Sequence, residues 1–154
     1  LLEAERIFLA GKGRSGLMMR GFAMRLMHLG LRAHVVDDVN TPGIQVGDLL
    51  LIGSGSGHTP SLVTYAGIAR AQGARVALIT IAPESPIQGQ ANLVIRIPAH
   101  SPKLADGGGT VTALPMGSLF ELALNLLLDL VTVQLMDTLG IDEAAMFARH
   151  ANLE

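Results

Sequence analysis

The sequence predicts an α/β fold, a three-layer αβα sandwich built on a five-stranded parallel sheet. Three observations carry this expectation. Short apolar runs alternate with helical patterns at the spacing of βαβ units. Glycine-rich junctions follow two of those runs and lead straight into helix starts. The core must also be aliphatic, because hydrophobic residues make up 49% of the chain and aromatic residues only 3%, which suits closely packed strands and helices.

The elements follow in order. Residues 6–10 (RIFLA) read as a first strand, 11–16 (GKGRSG) as a turn, and 17–29 as an apolar-rich helix closed by Gly30. Residues 33–36 are a second strand, followed by a polar connection through Asn40, Thr41 and Pro42. Residues 49–52 are a third strand and 61–72 its helix, stopped by Gly73. Residues 75–81 are a fourth strand, 83–90 a loop or short helix, and 93–97 a fifth strand. Then the rhythm breaks. Residues 98–112 are Gly-rich and poorly periodic around Gly107, Gly108 and Gly109, as functional loops often are. A long apolar helix over 115–139 and a short one over 142–149 complete the chain.

At 154 residues, the chain is expected to form one domain over 1–154. It opens without Met and almost directly in a strand, which leaves room for an N-terminal helix before Leu1. A net charge of −2 gives no electrostatic reason to bind nucleic acid or an anionic membrane. The absence of cysteine excludes a disulfide framework and thiolate zinc sites and fits a reducing, cytoplasmic compartment. Asp106 and the other acidic residues show no metal-ligand spacing, so no metal is expected. The most apolar helical stretch is interrupted by Glu121, Asn125, Asp129, Gln134 and Asp137. That pattern argues for a buried helix rather than a membrane span. The mean hydropathy of +0.44 is high, and association through a helical face is the simplest way to hide the excess.

The junction after the third strand, Ser54-Gly55-Ser56-Gly57-His58-Thr59, is the most informative segment. Glycines let backbone amides turn inward, hydroxyls add donors, and a helix N-terminus favours negative charge. Ser54, Ser56 and Thr59, with the amides from Gly55 to Thr59, are therefore assigned to a phosphate. His58 either contacts that phosphate, which would favour its cationic form, or shapes the turn. Arg14 and Ser15 open the helix after the first strand and should border the same crevice, touching substrate hydroxyls or a developing oxyanion. Thr41 follows the second strand at that edge and is a weaker substrate contact.

Gly11, Gly13 and Gly16 also spell the dinucleotide fingerprint G-x-G-x-x-G, with Asp37 placed for a ribose hydroxyl. A nicotinamide-binding module is thus a rival reading. Arg14 within the loop, the stronger anion loop after the third strand and the little room left for a substrate domain after five strands all count against it.

The two junctions together resemble the sugar isomerase (SIS) domain family. FAMRLMHLG (22–30), LPMGSLFE (114–121) and RHANL (149–153) narrow the likeness to its 6-phospho-3-hexuloisomerase branch, across nearly the whole chain. The resemblance implies a flavodoxin-like, Rossmann-like parallel sheet, no metal or organic cofactor, and a phosphorylated ketohexose as substrate. It implies a homo-oligomer, commonly a tetramer, with active sites shared between subunits. The implied reaction interconverts D-arabino-hex-3-ulose 6-phosphate and D-fructose 6-phosphate through an enediolate, in the ribulose monophosphate route of formaldehyde fixation.

Such a reaction needs a base, an oxyanion donor and a phosphate anchor. Glu121 is the candidate base, largely from the motif. It also satisfies the dipole of its helix. His150, in a tail able to reach a neighbouring subunit, is the second candidate catalytic group. It is placed to pass protons between the two sugar oxygens, or to complement the last helix as a cation. His28, His34 and His100 read as structural or solvated, and the methionines of the first helix as packing. The alternatives are an isomerase of another phosphosugar and a regulatory SIS module that binds a sugar phosphate without turning it over.

Overall fold

The computed structural model describes residues 1–102, 109–110 and 112–153. The structure is α/β, as expected. In chain order the elements are β1 (Ile7–Gly11), α1 (Gly13–His28), β2 (Ala33–Val35), β3 (Leu49–Gly53), α2 (Pro60–Ala71), β4 (Arg75–Thr80), β5 (Leu93–Arg96), α3 (Ser118–Leu139) and α4 (Glu143–Phe147). A single 3-10 turn at Gln88–Gln90 precedes β5. The five strands form one parallel sheet in the order β2-β1-β3-β4-β5.

Side-chain alternation along each strand builds the two faces. Ile7, Leu9, Leu49, Leu51, Ala77 and Ile79 point to the side covered by α1 and α3, where they meet Met19, Phe22, Leu26, Leu124 and Leu128. Phe8, Ala10, Leu50, Ile52, Val76 and Leu78 point to the side of α2 and meet Leu62, Ala66 and Ala69. Because both faces are covered, the strands read as continuous apolar runs. The strand order also reverses direction between β1 and β3. The chain leaves β1 towards β2 on one side, and leaves β3 towards β4 on the other. A crevice opens there at the carboxyl ends of the two strands, where open α/β sheets bind ligands.

Two expectations are corrected. α1 begins at Gly13, not at residue 17, so Arg14 and Ser15 lie in its first turn rather than in a loop. Glycines usually break helices, but here they admit a close backbone contact that a side chain would block. α3 is not a buried helix. Ser118, Phe120, Leu124, Leu128, Thr132 and Leu135 face the core, while Leu122, Leu126, Leu130 and Val133 are 52%, 62%, 59% and 61% exposed. By length and composition alone this helix could cross a membrane. Its packing through Leu124 and Leu128 makes it part of the sheet's outer layer. Residues 103–108 and 111 of the Gly-rich segment expected at 98–112, Asp106 among them, lie outside the described residues.

Candidate active site

Three helix N-termini converge on the crevice. It is a cavity of about 350 Å³ lined by the first turns of α1 and α3 and by the β3–α2 junction. Arg14, Ser15, Ser54, Gly55, Ser56, Thr59 and Glu121 all line it. The positive ends of three helices, with Lys12 and Arg14 at the same walls, favour an anionic guest.

The β3–α2 junction is built as an amide cradle. Ser54 is buried; its amide donates to the Ile79 carbonyl at 3.0 Å and its Oγ accepts from the Gly57 amide at 3.1 Å. The Ser54 hydroxyl thus braces the turn and keeps its own proton to donate. Gly57 adopts φ +65°, the left-handed conformation that reverses the chain here. Thr59 is the extended N-cap of α2, and Pro60 follows in the first turn. The amides of Gly55, Ser56 and Thr59 donate to none of the described residues. They are the donors left for a ligand.

Across the cavity, Glu121 lies in the first turn of α3. Its Oε2 is 3.1 Å from Arg14 Nε, the carboxylate side chain 17% exposed and the guanidinium side chain 54%. Arg14 Nη1 also donates to Ser118 Oγ at 2.8 Å. One guanidinium therefore ties the first turn of α1 to the first turn of α3 and fixes the carboxylate's orientation. The arrangement offers a fixed carboxylate, an adjacent cation and an anion cradle in one crevice.

Four of the predicted site residues are not brought to this cavity. The Thr41 hydroxyl donates to the Val35 carbonyl at 2.5 Å and borders a separate apolar hollow beside Tyr65 and Ile68. Thr41 is a strut of the β2 exit, which corrects its expected place in the crevice. Gly57 shapes the cradle from behind. His58 folds back on the loop, with Nδ1 2.6 Å from the Ser56 carbonyl and its amide donating to Ser56 Oγ at 3.3 Å, so it shapes the turn. His150 lies past α4, its ring stacked against those of His28 (5.3 Å) and Phe147 (5.8 Å).

Asp37 is likewise occupied. It accepts from Lys12 Nζ and from the Tyr65 hydroxyl, each at 2.5 Å. Those bonds, Lys12 first, hold its carboxyl below the usual range. That is not an acid left open for a ribose. Among the described residues no group of three His, Asp or Glu stands together as a metal site.

Sequence reasoning missed Ser118, Lys12, Ser101 and Phe120 as cavity residues. Ser118 had a usable signal, since it stands at a helix start three residues before Glu121. Ser101 had none, because it lies beyond the last strand in a stretch without periodicity.

Residues 1–126 match the SIS domain family. The chain belongs to that family. A Bacillus subtilis protein named 3-hexulose-6-phosphate isomerase is 51% identical over 154 residues, covering 100% of this chain and 83% of the relative. A Mycobacterium gastri protein of the same name is 44% identical, covering 100% and 76%. Among solved structures, a Methanococcus jannaschii protein superimposes with a TM-score of 0.87 at 36% identity, covering 99% of this chain and 81% of that one. Its structure was described as inferring the molecular function of 3-hexulose-6-phosphate isomerase. The β3–α2 junction is the serine loop that the sequence marked out, and Glu121 of α3 lines the same cavity.

Proposed function

We propose that this chain is an isomerase interconverting 3-hexulose 6-phosphate and fructose 6-phosphate. The observation that carries this is the placing of the Glu121–Arg14 pair and the free amides of the serine loop in one cavity. The names of relatives at 51% and 44% identity support the choice of substrate. The amides of Gly55, Ser56 and Thr59, with the hydroxyls of Ser54, Ser56 and Thr59, hold the phosphate. Glu121 removes the proton on C2 of the 3-ketose. The electron pair forms the C2–C3 enediolate, and Arg14 offsets the charge that develops on oxygen. The proton returns to C3 while a second proton passes from O2 to O3, leaving the carbonyl at C2. Ser15 lies beside Arg14 and contacts substrate hydroxyls.

His150 cannot serve the cavity of its own chain from its place against His28. In this reading it acts in the cavity of a neighbouring copy. The exposed Leu122, Leu126, Leu130 and Val133 give α3 an apolar stripe for that association, with a tetramer as the expected assembly. Residues 1–154 act as one SIS domain, in the cytoplasm, within the ribulose monophosphate route. Every proton and charge is carried by side chains, so turnover is expected to survive EDTA.

The test is turnover of 3-hexulose 6-phosphate, read by coupling fructose 6-phosphate formation to a dehydrogenase. Replacing Glu121 by Gln should lower kcat by roughly 10²–10⁴-fold and leave fructose 6-phosphate binding in place. A wild-type protein stabilised by phosphosugar yet without turnover would instead be a binding module or the isomerase of another phosphosugar.

A further inference from the structure

The serine loop is braced by its own Ser54 and Ser56 hydroxyls and is also gripped from the neighbouring strand and the residues that follow it, most densely at one atom. The Gly55 carbonyl oxygen accepts from the Thr80 hydroxyl at 2.9 Å, the Ile81 amide at 3.1 Å and the Ala82 amide at 3.3 Å. Thr80 is the last residue of β4 and fully buried. Its Oγ1 also accepts from the Ala82 amide at 3.1 Å, so the hydroxyl's one proton is committed to Gly55. Across a trans peptide, the N–H of the next residue points opposite to the carbonyl. Pulling the Gly55 oxygen down onto β4 therefore turns the Ser56 amide the other way, away from β4 and towards the cavity. A second contact reinforces the grip. A Cβ on Gly57 would stand 2.3 Å from Ser85 Oγ and 3.7 Å from Thr80 Oγ1, so the loop lies flat on the 80–85 segment.

We propose that Thr80 is a positioning residue for phosphate. Its hydroxyl sets the orientation of the Gly55–Ser56 peptide, and with it the donor offered to the ligand. The proposal rests on the phosphosugar reading of the cavity. It adds a residue from β4, a strand that contributes nothing to the cavity lining. Preorganised donors lose affinity when the shell behind them is loosened, even if no ligand contact is removed.

The experiment compares wild type, Thr80→Val and Thr80→Ser by calorimetric titration with fructose 6-phosphate and with inorganic phosphate, alongside thermal melting. Val keeps the shape and loses the hydroxyl; Ser does the reverse. The Kd of both ligands should rise about tenfold in Thr80→Val and stay within about twofold of wild type in Thr80→Ser, the size expected for one buried hydrogen bond. A role in stability alone would lower the melting temperature of Thr80→Val with Kd unchanged, and that result overturns the proposal. So does a Thr80→Ser variant that binds as weakly as Thr80→Val. Should the Val variant lose native circular dichroism, Thr80→Ala, which adds no bulk, takes its place under the same criterion. A wild-type protein that binds neither ligand overturns the phosphosugar reading itself, an outcome separate from equal binding by all variants.

Discussion

The β1–α1 and β3–α2 junctions look alike in sequence and are used in opposite ways. Both are glycine-rich, both leave the carboxyl end of a central strand, and both open a helix. In the first, the glycines let backbone meet backbone. A Cβ on Gly16 would stand 2.7 Å from the Gly11 oxygen, and one on Gly11 would stand 2.9 Å from the Gly16 Cα. The helix therefore begins at once, and its first turn brings the Arg14 and Ser15 side chains to the cavity. In the second, the turn runs from Ser54 to Thr59 before the helix starts, and it leaves the amides of Gly55, Ser56 and Thr59 without an acceptor among the described residues. A glycine motif is thus informative only once it is known what approaches it. The fingerprint G-x-G-x-x-G is present here, yet its first and last glycines, Gly11 and Gly16, serve packing against each other.

The comparison can be broken at several points. The largest effect is expected at Arg14. Arg14→Gln should lower kcat by roughly 10²-fold, as for loss of one oxyanion donor, with fructose 6-phosphate affinity less affected. A kcat within about twofold of wild type would remove the first junction from the chemistry.

Next is Gly16→Ala, which drives a methyl group into backbone that cannot give way. Urea denaturation should show a loss of about 1–3 kcal/mol. A fully stable variant would mean that the close approach is not needed. Ser56→Ala is the counterpart in the second junction. It should leave stability within about 0.5 kcal/mol and weaken fructose 6-phosphate binding about five- to tenfold. If that variant instead loses stability and keeps affinity, the two junctions have been assigned the wrong way round.

The smallest effect lies at the far end of α1, away from both junctions. His28 is buried there, and its pKa is pushed below the ordinary 6.5 chiefly by burial, then by Arg25 and His150. Arg149 also faces it, donating to its carbonyl at 3.0 Å. The unfolded chain takes up this proton near 6.5 and the folded chain only at lower pH. Its contribution to stability is therefore full above 6.5 and declines as pH falls from 6.5 to the lowered value. Denaturation midpoints on either side of that window should show the decline in wild type and a flatter response in His28→Gln. Equal slopes would refute it.

Much of the fold was legible because the strands are short apolar runs and the helices end at glycines. Gly30 and Gly140 take positive φ where α1 and α3 stop. The cradle was legible because Ser, Gly and Thr converge on one helix start. What escaped depends on tertiary approach. The start of α1 moved because residues 11–16 were read as a turn, when the close approach of Gly16 to Gly11 lets the helix begin at Gly13. The exposed stripe of α3 escaped because apolar content does not say which helix face meets the sheet. Thr41 was placed by its strand end alone, and its hydroxyl turned back to Val35. Thr80 was passed over inside an apolar strand, although a hydroxyl at the carboxyl end of a parallel strand is well placed to act at the crevice.

The bonds that occupy Asp37 have an optical consequence. Tyr65 is the sequence's single tyrosine, and there is no tryptophan, so intrinsic emission excited beyond the phenylalanine band comes from one ring. That ring donates its phenol to the Asp37 carboxylate, a proton acceptor that quenches, and carries Lys12 Nζ 5.4 Å from its centroid. Lys12 also borders the cavity. A phosphate that drew Lys12 inwards would change the acceptor's hold on the phenol, so tyrosine emission is the label-free signal to follow as phosphate is added.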